Sequence, residues 1–363
     1  MSDGHHGPPA TGEGALDPLQ RRVLRAALAM QRKSWEQGVL GHAVLDLRLG
    51  SLVPVMARDA VQLQTEAGQL GTAEEWDLVN GAAAGEVVLA AFQGCGSGSG
   101  SGLRSPSGAD PSSGTESLLG AESSSGPDGN LRQGLDRQLT WLDHAAPRAA
   151  DGTLFHLGHS AQVWVDTVYM VVPLLARCGR FAAAQAQLDG HRRRLFDPAS
   201  GLYAHQWDES SGSLSRAAHW GSGSGWVIAG IARALHHLPA HVAAGGFWRE
   251  TAEHACCIID SCLRYRAASG RFHDVVDDPD SFEEVNLAQM LAYSIFTGVA
   301  DGWLPPSRLE HGRSLTATAR EHVDTQGLVV PVCGAPRFDR PGSSVEAQAF
   351  FLLATTAERR CNT

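Results

Sequence analysis

Residues 160–177 read SAQVWVDTVYMVVPLLAR, and the second half of this segment, residues 168–175, is apolar over a wide face. A surface helix keeps one polar face, whereas a helix that is apolar nearly all round lies inside a core. Residues 227–235 and 347–354 have the same character. The sequence therefore predicts a fold built around several buried inner helices.

The rest of the chain repeats this helical spacing, with hardly any alternating β pattern. Apolar residues recur at helical intervals in twelve stretches, at roughly 18–30, 35–47, 53–67, 79–92, 131–144, 160–177, 181–195, 223–238, 246–268, 283–299, 306–323 and 343–358. Twelve helices predict an all-α fold, an (α/α)6 toroid in which six helical hairpins close into a ring. An open α-solenoid also stacks hairpins, but no solenoid-type sequence period is visible, which favours the toroid.

Two segments depart from the helical pattern. Residues 1–14 are rich in Gly, Pro and His, and we expect a disordered leader there. Residues 94–130 are rich in Ser and Gly and contain too few apolar groups to offset the chain entropy of folding. Because helices of the same kind resume after residue 130, we interpret 94–130 as a disordered loop insertion. Residues 15–363 are then predicted to form a single domain.

The charge of the chain narrows the classes of partner. The net charge is −10, and Lys33 is the only lysine, so we expect no binding to nucleic acid, which requires basic patches. No apolar run approaches the about 20 residues that a membrane-spanning helix needs. An anionic substrate would need a local cluster of Arg or His, because the overall field repels it.

The seven cysteines and the first residues bear on compartment and metal binding. No two CxxC pairs occur, so the sequence does not support a zinc site, and we expect no metal and no other cofactor. Residues 1–14 contain no hydrophobic stretch of the secretory kind. We therefore expect a cytoplasmic protein with reduced thiols. The sequence does not indicate an oligomeric state.

Asp166 is the first candidate for chemistry. It stands where the helix after Val165 begins, between apolar and aromatic residues that include Trp164 and Tyr169. Partial burial raises the pKa of a carboxyl, which suits a proton donor near neutral pH. Alternatively, Asp166 only caps the helix that follows it.

Two aromatic segments further along the chain are candidates for a sugar pocket. Residues 201–208, GLYAHQWD, carry Tyr203, His205 and Trp207 at alternating positions, and aromatic rings with polar groups suit a sugar ring. The alternative is that the two aromatic rings pack the loop. Residues 219–226, HWGSGSGW, place three glycines between Trp220 and Trp226, which allows close approach of a ligand to the backbone. The alternative for this segment is a flexible linker.

Taken in this order, these segments resemble the unsaturated glycuronyl hydrolases of glycoside hydrolase family 105 and the related family 88. Members share a Trp-x-Asp segment followed by Tyr-Met, then Gly-Leu-Tyr-x-His-x-Trp, then Trp-x-Arg-Gly-Asn-x-Trp. The resemblance extends to WEQG at residues 35–38, SFEE at 281–284 and GSSVEAQAFF at 342–351. It spans almost the whole chain outside residues 1–14 and the Ser/Gly-rich segment.

The resemblance implies an (α/α)6 catalytic domain and an unusual hydrolysis. The expected substrate is an oligosaccharide, of the rhamnogalacturonyl type, that ends in a uronic acid with a C4–C5 double bond. An acid protonates C4, water adds at C5, and the hemiketal opens to release the next sugar. By motif position Asp166 is the expected catalytic acid. The expected substrate-binding residues are Trp35, Asn80, His156, His205, Trp207, Trp220, Ser222 and Trp226.

This sequence departs from the family pattern at three positions. Asn80 stands where members carry a second pocket aspartate, and an amide cannot exchange a proton. Ser222 and Ser224 replace the Arg and Asn of the third motif, and the loss of Arg removes a bidentate partner for a carboxylate. Arg216 or His219 is a possible substitute.

The departures leave two alternatives to the hydrolase open. One is a catalytically silent sugar-binding protein of the same fold, which Asn80 and Ser222 favour. The other is a conventional inverting glycosidase, in which a second carboxyl about 6.5–9.5 Å from Asp166 acts as base. Its candidates are Asp208, Glu283 and Glu284.

Overall fold

The computed structural model describes residues 16–71, 79–96 and 127–362. Its α-helices are α1 (Pro18–Met30), α2 (Ser34–Asp46), α3 (Val53–Gln62), α4 (Gly85–Gly96), α5 (Pro127–Thr140), α6 (Thr167–Arg177), α7 (Phe181–Leu195), α8 (Gly221–His237), α9 (Ala240–Ala243), α10 (Gly246–Arg264), α11 (Asn286–Ala300), α12 (Leu309–Glu321) and α13 (Val345–Arg360). Short 3-10 segments, Asn80–Ala84 and Pro306–Arg308, precede α4 and α12, and a π-helical turn, Trp141–Ala145, follows α5. The predicted leader lies outside the described residues.

The twelve predicted helices correspond to α1 to α8 and α10 to α13, and α9 is a single additional turn. The largest difference lies at residues 160–177, where the helix starts only at Thr167 and a short strand precedes it. The edges of the predicted 94–130 insertion also differ, because α4 continues to Gly96 and α5 starts at Pro127. The rest of that insertion, residues 97–126, lies outside the described residues.

Six of the helices form a closed inner ring. In ring order these are α2, α4 with its 3-10 segment, α6, α8, α11 and α13; each packs on the next, and α13 packs on α2. The outer helices α1, α3, α5, α7, α10 and α12 alternate with them along the chain, which makes six hairpins. Contact between the first and last inner helices is what an open solenoid lacks. The predicted (α/α)6 toroid is confirmed.

The inner helices α6, α8 and α11 are buried on every face over most of their length, as their apolar sequences predict. Every residue of Thr167–Ala176 in α6 and of the first fifteen positions of α8 is buried, and the same holds for Asn286–Gly298 in α11. The outer helix α10, by contrast, buries one stripe, for example Ala255, Ile258 and Ile259, and exposes polar residues between them. No helix in the described ranges has both the length and the apolar character needed to span a membrane.

Short antiparallel strands link the helices at the cavity end. They are β1 (Gln162–Trp164), β2 (Phe196–Asp197), β3 (Leu202–Tyr203), β4 (Gln206–Asp208), β5 (Ser213–Arg216), β6 (Phe272–His273), β7 (Glu283–Glu284), β8 (Val332–Cys333) and β9 (Pro341–Gly342). Strands β1, β4 and β5 form one three-stranded sheet, and the others pair two by two. Strands of two to four residues are too short to leave a readable alternation, which is why the sequence predicts none of them.

A cluster of buried charges ties the inner helices together below the cavity. Arg233 of α8 donates from Nε to both carboxylate oxygens of Glu86, at 3.0 and 3.1 Å, and from Nη1 to Asp46 at 3.2 Å. The His237 Nε2 lies 2.9 Å from Glu86 Oε2, and the His42 Nε2 lies 3.3 Å from Glu86 Oε1. Burial, and then the positive charge of Arg233, lower the pKa of His42 to about 4. This cluster joins α2, α4 and α8.

Candidate active site

A cavity of about 280 Å³ opens at the end of the ring where the inner helices begin. Its walls come from the starts of α2, α6, α8 and α13, from the 3-10 segment before α4 and from the connecting loops. The lining residues are Trp35, Asn80, His156, Trp164, Asp166, Met170, His205, Gln206, Arg216, Trp220, Trp226, Pro336, Arg337, Phe338 and Glu346. Most of the predicted site residues therefore share one cavity.

The three-stranded sheet brings Asp166 and His205 together. Trp164 of β1 pairs with Gln206 of β4, and the next backbone hydrogen bond runs from Val165 N to the His205 carbonyl at 3.1 Å. The Nε2 of His205 then lies 3.3 Å from Asp166 Oδ2. The Asp166 side chain makes no capping hydrogen bond to α6, so the capping alternative is wrong.

Arg216 determines which nitrogen of His205 carries the proton. Its Nη1 lies 2.9 Å from His205 Nδ1, and a guanidinium only donates, so Nδ1 accepts. The ring proton of His205 is then on Nε2, the nitrogen that faces Asp166. Arg216 reaches this position because it pairs with Gln206 across a bulge between β4 and β5. The three side chains form a chain of contacts from guanidinium to imidazole to carboxylate.

Aromatic rings hold the two histidines in place. Trp164 stacks on His156 with ring centroids 4.7 Å apart and meets His205 edge-on at 5.4 Å. Trp220 lies on another side of His205, with centroids 4.9 Å apart, and its Nε1 donates to Asp274 at 3.0 Å. Burial lowers the pKa of His156 to about 4, so this ring is neutral at neutral pH. The cavity wall thus combines flat apolar faces with fixed polar groups, as a sugar ring requires.

The protonation of Asp166 differs from the prediction. Burial raises the pKa of its carboxyl, as expected, but the His205 side chain, whose Nε2 lies 3.3 Å away, outweighs that effect. The net direction is downward, so Asp166 is ionised at neutral pH in the free protein. The prediction of a raised pKa is wrong, because the sequence does not show which groups lie beside a carboxyl.

Several buried polar atoms at the cavity have no hydrogen-bond partner among the described residues. They are Asn80 Oδ1, Asp166 Oδ2, His205 Nε2, Trp226 Nε1 and Glu346 Oε2. Glu346 is 4% exposed, and burial, first of all, raises the pKa of its carboxyl to about 7. Buried polar atoms in folded proteins are nearly always paired, so a group of unpaired ones around a cavity indicates a polar ligand.

Two predicted site residues lie outside the cavity wall. Trp207 follows Gln206 in β4 and faces the other side of the strand, where its Nε1 donates to Glu209 Oε2 at 2.9 Å. Ser222 is buried in the first turn of α8 and accepts a hydrogen bond from Asn286 Nδ2 at 3.0 Å. These two positions serve packing and hydrogen bonding within the protein.

The glycines of the third motif also serve packing. A Cβ at Gly223 would lie 2.9 Å from a methyl of Val165, and one at Gly225 would lie 2.3 Å from the Met290 sulfur. All three glycines belong to α8, which begins at Gly221. Glycine is needed in this segment because neighbouring parts of the protein approach it closely, and not because a ligand does. The interpretation as a ligand-approach loop is therefore wrong.

The carboxyls predicted as partners of Asp166 lie elsewhere. Glu284 accepts from the amides of Asn286 and Leu287 at the start of α11, at 2.5 and 2.9 Å. Glu283 pairs with Arg271 at 2.7 Å, and Asp208 accepts from turn amides on the surface. None of the three lines the cavity. None of the carboxyls that the sequence suggested as the base of an inverting glycosidase is therefore in place.

A larger cavity, of about 480 Å³, lies between α3 and α5 on the outer side. Its described lining includes Arg58 and Arg137 but no carboxyl, histidine or aromatic ring. Nothing on that wall can exchange a proton near neutral pH or stack on a sugar. The cavity at Asp166 is therefore the candidate active site.

A family model described as Glycosyl Hydrolase Family 88 matches residues 109–358, more than half of the chain. The chain belongs to Glycosyl Hydrolase Family 88. Family 88 was one of the two families that the motifs resemble, and the predicted resemblance is confirmed. The matched region contains Asp166, His156, His205, Arg216 and Glu346 and ends within α13.

Individual proteins are similar to this chain in sequence or in fold. The Unsaturated rhamnogalacturonyl hydrolase YesR of Bacillus subtilis (strain 168) is 29% identical over 171 residues, which cover 42% of this chain and 48% of that protein. The chain thus spans about half the length of this relative. A family 105 glycoside hydrolase of C. acetobutylicum aligns with TM-score 0.72 and 15% identity over 94% of this chain and 99% of its own. A possible family 105 member from Klebsiella pneumoniae aligns with TM-score 0.75 and 18% identity over 95% and 93%. The two structures support the toroidal fold.

Some lining residues of this Family 88 chain were not predicted from the sequence. They are Trp164, Met170, Gln206, Pro336, Arg337, Phe338 and Glu346. Phe338 has a φ of 52°, which is rare outside glycine, so the loop that carries Arg337 and Phe338 is held in a strained conformation beside the cavity. Glu346 had a readable signal, because it is an acid that begins an otherwise apolar inner helix. Arg337 had no such signal in the sequence, because it lies in an irregular loop.

Proposed function

We propose that the cavity hydrolyses oligosaccharides of the rhamnogalacturonyl type that end in an unsaturated uronic acid. The observation that carries this proposal is a carboxyl, Asp166, held beside His205 in the wall of an aromatic-lined cavity. The membership of Family 88 and the name of the Bacillus subtilis relative, an unsaturated rhamnogalacturonyl hydrolase, support it.

The electrostatics of the cavity suit a uronic acid, although the whole chain carries a net charge of −10. The guanidinium groups of Arg216 and Arg337 line the wall. The first turns of α2, α6, α8 and α13 meet there, and each helix start adds partial positive charge. Arg216 therefore replaces, from β5, the cation that Ser222 cannot supply from α8. A fixed local field of this sign attracts the substrate carboxylate.

Asp166 carries the proton transfers of this reaction. The negative charge of the bound substrate carboxylate raises the pKa of Asp166, which takes up a proton from solvent. The O–H bond of Asp166 breaks as the π electrons of the C4–C5 bond form the new C4–H bond, the water oxygen bonds to C5, and the proton that the water loses returns to Asp166. The His205 Nε2–H orients the carboxylate, while Arg216 keeps His205 in that tautomer. The product of the addition is a hemiketal at C5, which opens and releases the neighbouring sugar.

The test is loss of the ultraviolet absorbance of the conjugated double bond when an unsaturated disaccharide from a polysaccharide lyase is added. We expect turnover by the wild type, and a fall in kcat of about 10²–10⁴-fold in Asp166→Asn, which can neither accept nor donate the proton. Asp208→Asn is the matched control, because Asp208 lies on the surface outside the cavity. Binding without turnover by the wild type, across a panel of unsaturated disaccharides, would establish the silent sugar-binding protein instead.

Two sequence predictions remain part of this proposal. We place the protein in the cytoplasm, because its cysteines are read as reduced thiols, and we expect an oligosaccharide, not nucleic acid, as its partner. Separation of the reaction products by chromatography, and the failure of DNA or RNA to compete with the substrate, test the second expectation.

A further inference from the structure

Asp274 is a buried carboxyl near the cavity that the reaction described above leaves without a role. It directly follows β6, is 7% exposed and does not line the cavity. Its Oδ1 accepts a hydrogen bond of 3.0 Å from Nε1 of Trp220, which does line the cavity. A buried carboxyl and a buried indole N–H are both costly without a partner, so each of these two groups needs the other.

The backbone on both sides fixes Asp274 relative to Trp220. The Gly221 amide donates to the Asp274 carbonyl at 2.7 Å, and Trp220 pairs with Val275 in an antiparallel bridge. On the other side, the Asp274 amide donates to the Phe282 carbonyl at 2.9 Å. The carboxyl is therefore held in place independently of the indole, and it can serve as a fixed point to which the indole is tied.

Trp220 in turn restricts the orientation of the His205 ring. The ring centroids of these two residues lie 4.9 Å apart, and Trp164 meets His205 edge-on at 5.4 Å. Arg216 determines the tautomer through its contact with Nδ1, but a contact at one ring nitrogen leaves the imidazole able to turn about that contact. Packing of Trp220 and Trp164 prevents this turn. The direction in which Nε2 faces Asp166, at 3.3 Å, therefore depends on where the Trp220 ring lies.

We propose that Asp274 is a positioning residue for the hydrolysis, because it holds the Trp220 indole that keeps His205 in the orientation from which Nε2 directs Asp166. This inference rests on the proposed hydrolysis of unsaturated uronides. Asp274 itself transfers no proton, since it does not line the cavity. Loss of the hydrogen bond frees the indole and then the imidazole. The proton transfers of Asp166 become slower, while the bound substrate keeps its other contacts with the cavity wall.

The test is Asp274→Leu, which has a similar size but no acceptor for the indole. We expect kcat for an unsaturated disaccharide to fall by about 10–10²-fold, with KM changed by less than about threefold. Asp274→Asn keeps an oxygen acceptor, and we expect its kcat to lie within about threefold of the wild-type value.

Asp260→Leu is the matched control for Asp274→Leu, because Asp260 pairs with Arg308 on the outer helix α10 and should leave kcat unchanged. Wild-type kcat in Asp274→Leu overturns the proposal. An equal fall in Asp274→Asn also overturns it, because the charge of Asp274 and not its hydrogen bond would then carry the effect.

Trp220→Phe tests the same hydrogen bond with Asp274 left in place. It keeps an aromatic ring beside His205 but removes the N–H, so we expect kcat to fall by a factor similar to that in Asp274→Leu. The double variant should lose no more than the more affected single variant, since both changes break one hydrogen bond. Falls in kcat that multiply in the double variant, or wild-type kcat in Trp220→Phe, overturn the proposal.

Hydrogen exchange of the Trp220 indole N–H, followed by NMR of the isotope-labelled protein, is a readout that does not depend on turnover. We expect exchange to be about tenfold or more faster in Asp274→Leu than in the wild type or Asp274→Asn. Equal exchange in all three proteins overturns the proposal. Absence of turnover by the wild type overturns the proposed function itself, and with it the role of Asp274. Turnover by the wild type that persists undiminished in Asp274→Leu overturns only the role of Asp274.

Discussion

Two buried groups of polar side chains, one around Glu86 and one at the cavity, differ in how completely their described members are paired. In the cluster around Glu86, the carboxylate contacts Arg233, His42 and His237, and none of these side chains has a buried polar atom without a partner. At the cavity, five side chains each have one, namely Asn80, Asp166, His205, Trp226 and Glu346. A fully paired cluster stabilises the fold, whereas unpaired polar atoms that line a cavity are available to bind a ligand.

The same difference appears in the pKa values. In the paired cluster, burial raises the pKa of Glu86, but Arg233 and the two histidines lower it by more than burial raises it. The net pKa therefore lies well below the ordinary range. At the cavity, burial dominates for Glu346. Burial alone does not decide the charge of a carboxyl, because a cation placed close to it can outweigh the effect of burial.

The largest effect should come from breaking the paired cluster. Arg233→Met leaves Glu86 buried without its main counter-charge, and we expect the free energy of unfolding to fall by about 3–5 kcal/mol. Urea denaturation measures this change in the free energy of unfolding. Adding Glu86→Gln should restore part of the loss, because the second change removes the unpaired charge. Loss of turnover at unchanged stability would contradict the separation of the two clusters.

A pH-dependent effect should distinguish Glu346 from that cluster. Its folded pKa, about 7, lies above the ordinary value of 4.5, so its contribution to stability is present below pH 4.5 and is lost as pH rises through 7. Glu346→Gln should therefore gain stability relative to the wild type between these pH values, by up to about 3 kcal/mol. Urea denaturation at several pH values checks this, and a difference that is independent of pH would contradict it.

For His42 the dependence of stability on pH has the opposite sign. Its folded pKa, about 4, lies below the ordinary value of 6.5, so the stability that the neutral ring contributes is present above pH 6.5 and is lost as pH falls towards 4. In His42→Gln, we expect a weaker dependence of the free energy of unfolding on pH in this acidic range, by up to about 3 kcal/mol. Denaturation curves that keep the wild-type dependence would show that His42 is not the titrating group.

The smallest effect concerns substrate binding. Arg216→Met removes a cation from the cavity wall and the donor to His205 Nδ1, and we expect KM to rise about tenfold or more, equivalent to about 1.4 kcal/mol, with little loss of stability. Arg271→Met is the matched control, because Arg271 pairs with Glu283 away from the cavity. An unchanged KM in Arg216→Met would show that another group holds the substrate carboxylate.

The interpretation of the sequence identified residues that line the cavity where a motif coincided with the start of an inner helix. Trp35, Asn80, Asp166 and Trp220 all lie at or just before such starts and line the cavity. It failed where side-chain direction decided the outcome. Trp207 faces away from the cavity because it alternates with Gln206 along β4, and Ser222 bonds to Asn286 within the protein.

The sequence alone determined the helices, their order and which of them are buried, because apolar periodicity is a property of ten to twenty consecutive residues. Only the tertiary structure decided that α13 closes the ring on α2 and that Asp166 meets His205. It also decided that the pKa of Asp166 is lowered while that of Glu346 is raised. The physical reason is that the charge of a carboxyl depends on its burial and on its nearest neighbours in space, and those neighbours come from distant parts of the chain.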